Sequence, residues 1–223
     1  MKHLHRLIVN SNTYRIASTP NTVDAKADPD DVYLWRFPYK RMEAEVVRDN
    51  MLWVSGQLDL AMGGPDIDHN QGLTSKRRSI YLRIAAEKEV EFLKIFDGPS
   101  VTECYRRNQS VMPQQALALS NSELAIAQAK IVAKDLNQRC GPDTNLFIQD
   151  AFLRILCWRP TAAEVKLCQE FLKNQPAPKP PSSLATVLLT SGNDKTATEE
   201  AMLRGRENLV RVLFNHNDFV TVR

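Results

Sequence analysis

The stretch Tyr39–Asp59, YKRMEAEVVRDNMLWVSGQLD, decides how this chain is read. Ala44, Val47, Met51, Val54 and Leu58 recur at steps of three and four, which places them on one stripe of a helix. Arg41, Glu45, Arg48 and Asp49 fall on the other side, with Arg41 and Glu45 one turn apart and able to pair. Val46, Leu52 and Trp53 widen the apolar side, so the expectation is a helix lying deep in a core and wrapped by its neighbours.

Downstream of this helix, Gly63-Gly64-Pro65 signals a turn and lacks the GxxxxGK[ST] pattern of a phosphate loop. Ser79–Ile84 alternates Ile80, Leu82 and Ile84 with Tyr81 and Arg83, the pattern of a short strand. A helix is expected over Glu87–Phe96, stopped by Asp97-Gly98-Pro99, and Pro113 should open a short one over Gln114–Leu119. Ser120 and Glu123 have capping-box spacing, which predicts a helix from there to about Gln138 with Leu124, Ala127 and Ile131 on one face. Thr144–Trp158 follows, burying Ile148, Phe152, Ile155 and Leu156; Thr161 with Glu164 then caps a helix whose inner face is Val165, Cys168, Phe171 and Leu172. Residues 174–196 read as a linker or insert, with four prolines between Asn174 and Ser183. The last helix is expected over Thr198–Phe214, with Met202, Leu209 and Leu213 inward and Phe219 and Val220 tucked back into the core.

Upstream, Leu4–Ala17 reads as a helix ended by Pro20. Asn21–Asp31 reads as a solvated loop, because its aspartates lack the D-x-D-x-D-G pattern of a calcium loop. Val32–Phe37 is short, aromatic and expected to pack against the central helix. Together these elements give a mainly α fold: an irregular multi-helix bundle with long loops and at most one or two short strands, over a single helical domain 1–223.

The 223 residues, 43% hydrophobic and 25% charged, are those of an ordinary globular protein. The formal charge of +3 is spread along the chain and does not point to nucleic acid. No apolar run approaches the roughly 20 residues of a membrane span. Met1-Lys2-His3 leads into Leu4, Leu7, Ile8 and Val9, but Asn10-Ser11-Asn12 cuts the run too soon for a signal peptide. Cys104, Cys140, Cys157 and Cys168 form no CxxC pair, and the four histidines form no HExxH, so neither a zinc site nor an attached c-type haem is expected, and no cofactor in this chain. A GxSxG elbow is absent, and Glu43 and Glu45 cannot face each other on a helix.

Two basic pairs remain as candidate binding residues: Arg77-Arg78 and Arg106-Arg107, each beside a predicted turn. Guanidinium forks bind carboxylates bidentately, so one reading is an anion or polysaccharide contact. The other, preferred because arginine beside apolar runs often serves packing, is a set of salt bridges to Glu43, Glu45 or Asp97. Gln114, Gln115 and Asn121 are likewise able to bond loop backbone rather than ligand. No catalytic residue is assigned.

LHRLIVNSNTYR (4–15), DPDDVYLWRF (28–37), the central stretch with MGGP, KRRSIYL (76–82), FDGPS (96–100), NQSVMPQQALALSN (108–121), FLRILCWRPTAAEV (152–165) and ENLVRVLFNHNDFVTVR (207–223) together resemble the planctomycete surface domain one family, a domain of unknown function. The resemblance implies an exported cell-envelope or periplasmic protein of a planctomycete-type bacterium, found beside planctomycete cytochrome c domains. It also implies that the chain is the C-terminal part of a larger domain, whose N-terminal part or a neighbouring domain is its partner. The expected function is a non-catalytic scaffold or interaction domain; the alternative is part of an envelope enzyme acting on polysaccharide or in cytochrome-linked redox chemistry.

Overall fold

The chain divides into two compact units, Met1–Met42 with Val220–Arg223, and Glu43–Phe219, where the sequence reading takes 1–223 together. The structure, a computed structural model, describes all residues except 87, 103–106, 108–109, 175–193 and 223. It is mainly helical, with one two-stranded sheet among the described residues.

In the first unit, α1 (Lys2–Val9) is shorter than predicted. Ser11 explains the stop: its Oγ donates to Ile8 O at 2.7 Å and accepts from Tyr14 N at 3.2 Å, closing a turn. Asn21 Oδ1 accepts from Val23 N and caps α2 (Thr22–Ala27), a short helix inside the stretch expected to be loop. The aspartates there serve the backbone, as the Asp28 carboxylate accepts from Val32 N and Tyr33 N. Val32, Tyr33 and Leu34 are exposed, so the burial expected for that aromatic segment is not found at them. β1 (Lys40–Arg41) pairs antiparallel with β2 (Thr221–Val222), Lys40 opposite Val222 and Arg41 opposite Thr221. The central stretch thus starts as a strand, not a helix.

The second unit holds α3 (Ala44–Val54), α4 (Glu91–Ile95), α5 (Pro113–Asn121), α6 (Glu123–Cys140), α7 (Thr144–Leu156), α8 (Ala162–Lys173) and α9 (Asp194–Phe214). α6 packs along α9, and α7 joins both; α3 lies against α4 and α6. The stripe Ala44, Val47, Met51, Val54 is buried as predicted, with Leu52 beside it. Gly56 at φ 70 ends α3 before Leu58, which is half-buried. Val46 and Trp53 face solvent instead of widening the core, and Arg48 is fully buried instead of lying outside.

Ser79–Ile84 is not a strand. A 3-10 turn covers Ser79–Tyr81, and only Leu82 bridges, in parallel, to Ile67. Ile80 is accordingly 72% exposed. At α6 the cap is Ser122, whose Oγ accepts from Ala125 N at 3.2 Å. Ser120 lies inside α5 and donates to Ala116 O, so the box predicted at 120–123 does not form. The buried face of α6 runs through Leu124, Gln128, Val132 and Leu136, while Ala127 is exposed. α7 buries all four predicted residues, and Asp143 caps it. The Thr161–Glu164 box forms as predicted, although the inner face of α8 is only half-buried. On α9, Leu209 and Leu213 are buried as predicted, joined by Val210 and Phe214, whose ring meets Phe219 at 5.0 Å. Most of the 174–196 linker lies outside the described residues.

Candidate functional site

Arg48 enters the core from α3 between Val47 and Met51, and its guanidinium is used up by one loop. Nε donates to Gly72 O at 2.6 Å, Nη1 to Arg77 O at 2.9 Å and Ser79 Oγ at 3.1 Å, and Nη2 to Ser75 O. The neighbouring Asp49 accepts from Ser79 N at 2.9 Å and Ser79 Oγ at 2.6 Å, and lies 3.2 Å from Arg48 Nη1. Burial lowers the Arg48 pKa, an effect that Asp49 opposes by its charge and hydrogen bond. The pair ties residues 72–79 to α3. Gly72 is the residue that lets this loop approach, because a Cβ there would sit 2.6 Å from a Val90 methyl.

The predicted arginines do not share one arrangement. Arg77 donates to Gly63 O and, at 3.4 Å, to Pro65 O, and its guanidinium lies 4.1 Å from the centre of the Tyr81 ring. Arg78 is exposed and its side chain has no hydrogen-bond or ion-pair partner among the described residues. Arg107 grips Glu45 bidentately, at 2.7 and 3.1 Å. Arg106 lies outside the described residues. Asp97 is bonded by Ser110 N and Oγ, and Gln115 Nε2 donates to Ile95 O and Ser110 O. Asn121 Oδ1 accepts from Arg211.

Two arginines that sequence reasoning missed are the more informative ones. Arg48 and Arg206 both sit on apolar stripes, 44-47-48-51 on α3 and 206-209-210-213 on α9, and that placement was the signal for each. Arg206 is 1% exposed. Its Nη1 donates to Asn137 Oδ1 and, at 2.7 Å, to Gly141 O, and its guanidinium lies 4.5 Å from the centre of the Phe147 ring. Nη2 donates to nothing among the described residues. Burial lowers the Arg206 pKa; Cys140 and Asp143 act in the opposite sense.

Arg206 forms part of the wall of a cleft of about 470 Å³ between the start of α7, the end of α8 and α9. A smaller cleft of about 230 Å³ lies by Val90, Leu93 and Gly98, and a shallower groove by Arg211 and His216. Arg77, Arg78 and Arg107 line none of these three. Among the described residues, no group of three or more His, Cys, Asp and Glu is placed to hold a metal, and no helix is long and apolar enough to cross a membrane.

A family model described as PSD1, protein of unknown function (DUF1553), matches residues 1–172. No curated protein and no solved structure matches the chain.

Proposed function

The chain belongs to the PSD1 family of proteins of unknown function, and we propose that it acts as a non-catalytic scaffold or interaction domain. The observation that carries this reading is the use to which the buried charge of α3 is put. Arg48, with 0% exposure, spends its donors on three loop carbonyls, the Ser79 hydroxyl and its own neighbour Asp49. Arg48 so engaged holds loop backbone in place, a structural use of its charge. Arg107 and Glu45, partly exposed, hold each other side chain to side chain.

The interaction half of the reading draws on α1, where Leu4, Leu7, Ile8 and Val9 are all at least 45% exposed. The setting in the cell envelope of an exported protein follows the family resemblance alone.

Purified chain, scanned for a haem Soret band and analysed for tightly bound metal, is expected to carry neither in stoichiometric amount. One haem or one metal ion per chain, surviving dialysis, would overturn the reading. Light scattering adds a positive test: the chain is expected to self-associate, and Leu7→Glu to shift it toward monomer. A monodisperse wild-type monomer removes the support drawn from α1.

A further inference from the structure

We propose that the cleft between α7, α8 and α9 binds a small organic carboxylate, one oxygen of which is received by Arg206 Nη2. A buried charge is normally paired, because leaving it without a counter-charge is costly. Arg206 is 1% exposed, makes no ion pair among the described residues, and keeps Nη2 without an acceptor. Asp143, the acid whose charge it feels, is already engaged on Asn145 N at 2.9 Å and Leu146 N at 3.1 Å. Asn137 and Gly141 hold Nη1. Nη1 is thus engaged, and Nη2 is left to donate to a carboxylate oxygen.

The rest of the cleft specifies the body of the ligand. Leu172 and Met202 give it apolar wall, while Asn145 and Gln169, bonded to each other, give a polar edge. Lys173 is exposed at the same cleft and adds a second positive charge, which draws anions in. The volume of about 470 Å³ falls in the usual range for small-molecule sites, about 300–1,000 Å³. This site is independent of the scaffold reading and requires no chemistry from it.

Calorimetric titration of the full chain with benzoate and with neutral benzamide tests the assignment. Benzoate is expected to bind at one site, about tenfold or more tighter than benzamide, and Arg206→Met to weaken it by about tenfold or more. Should Arg206→Met lose its cooperative melt, Met202→Phe decides, since it fills the cleft from a half-buried position and leaves Arg206 in place; benzoate binding is expected to vanish. Absence of saturable benzoate binding, equal affinity for benzamide, or binding undiminished in the folded variants overturns the proposal. Inorganic phosphate binding more tightly than benzoate overturns the carboxylate assignment.

Discussion

At the scale of single residues, Arg48 lies in the core like the apolar side chains beside it and also holds a loop. Arg48→Met leaves the carbonyls of Gly72, Ser75 and Arg77 without their donor and the Asp49 carboxylate with Ser79 alone. The expected loss is about 3–5 kcal/mol, read from urea unfolding. Arg48→Lys should recover little of it, because one ammonium cannot reach acceptors arranged around a planar fork. Met51→Ala, at 0% exposure, should cost about 2–5 kcal/mol in the same measurement. Arg78→Ala is the control, exposed and expected to stay within about 0.5 kcal/mol of wild type. The spacing 44-47-51-54 made the buried stripe of α3 legible, since periodicity reports geometry directly. Arg48, Val46 and Trp53 were misplaced for a different reason: each was assigned by residue type against its position. A guanidinium can be buried when a loop supplies its acceptors, and which loop returns to α3 is a long-range fact that the local pattern does not contain.

At the scale of elements, caps decided the boundaries, and they separate what local chemistry fixes from what it leaves open. Thr161 and Glu164 satisfy each other across one turn, and the start of α8 follows from four residues. The same spacing at Ser120 and Glu123 misled, because α5 continues through Ser120 and hands the capping role to Ser122. Ser122→Ala should therefore cost about 1 kcal/mol in thermal or urea unfolding. The alternation in Ser79–Ile84 promised a strand but has no partner strand among the described residues to complete it. Arg48 and Asp49 bind the Arg77 carbonyl and Ser79 amide instead, and the segment turns. The candidate site followed the same division. Arg107 and Glu45 pair, as one of the readings of the sequence had it, while the cleft at Arg206 joins α7, α8 and α9, and its one local trace is an arginine on the apolar stripe of α9.

Across the whole second unit, charge links helices far apart in sequence. Arg154 on α7 donates to Val54 O at the end of α3 at 2.7 Å and pairs with Asp135 on α6. The hydrogen bond from Arg154, aided by its charge and by Arg139, holds the Asp135 pKa below the ordinary carboxylate value. A native pKa below the unfolded one adds stability that is complete above the unfolded value of about 4 and disappears as pH falls through the native value. Asp135→Asn should thus lower Tm at pH 7, by a change worth about 0.2–1 kcal/mol because the pair is partly exposed. The gap between variant and wild type should close below pH 4, as scanning calorimetry at several pH values would show.

Met42 N donates to Val220 O at 2.8 Å, next to the paired residues of β1 and β2. Everything from Glu43 to Phe219 therefore leaves and rejoins the chain at one clasped gateway. Neighbouring ends are the condition under which a segment fits into a host protein's surface turn, so grafting Glu43–Phe219 into such a turn is expected to leave both partners folded, as a cooperative melt of each would show.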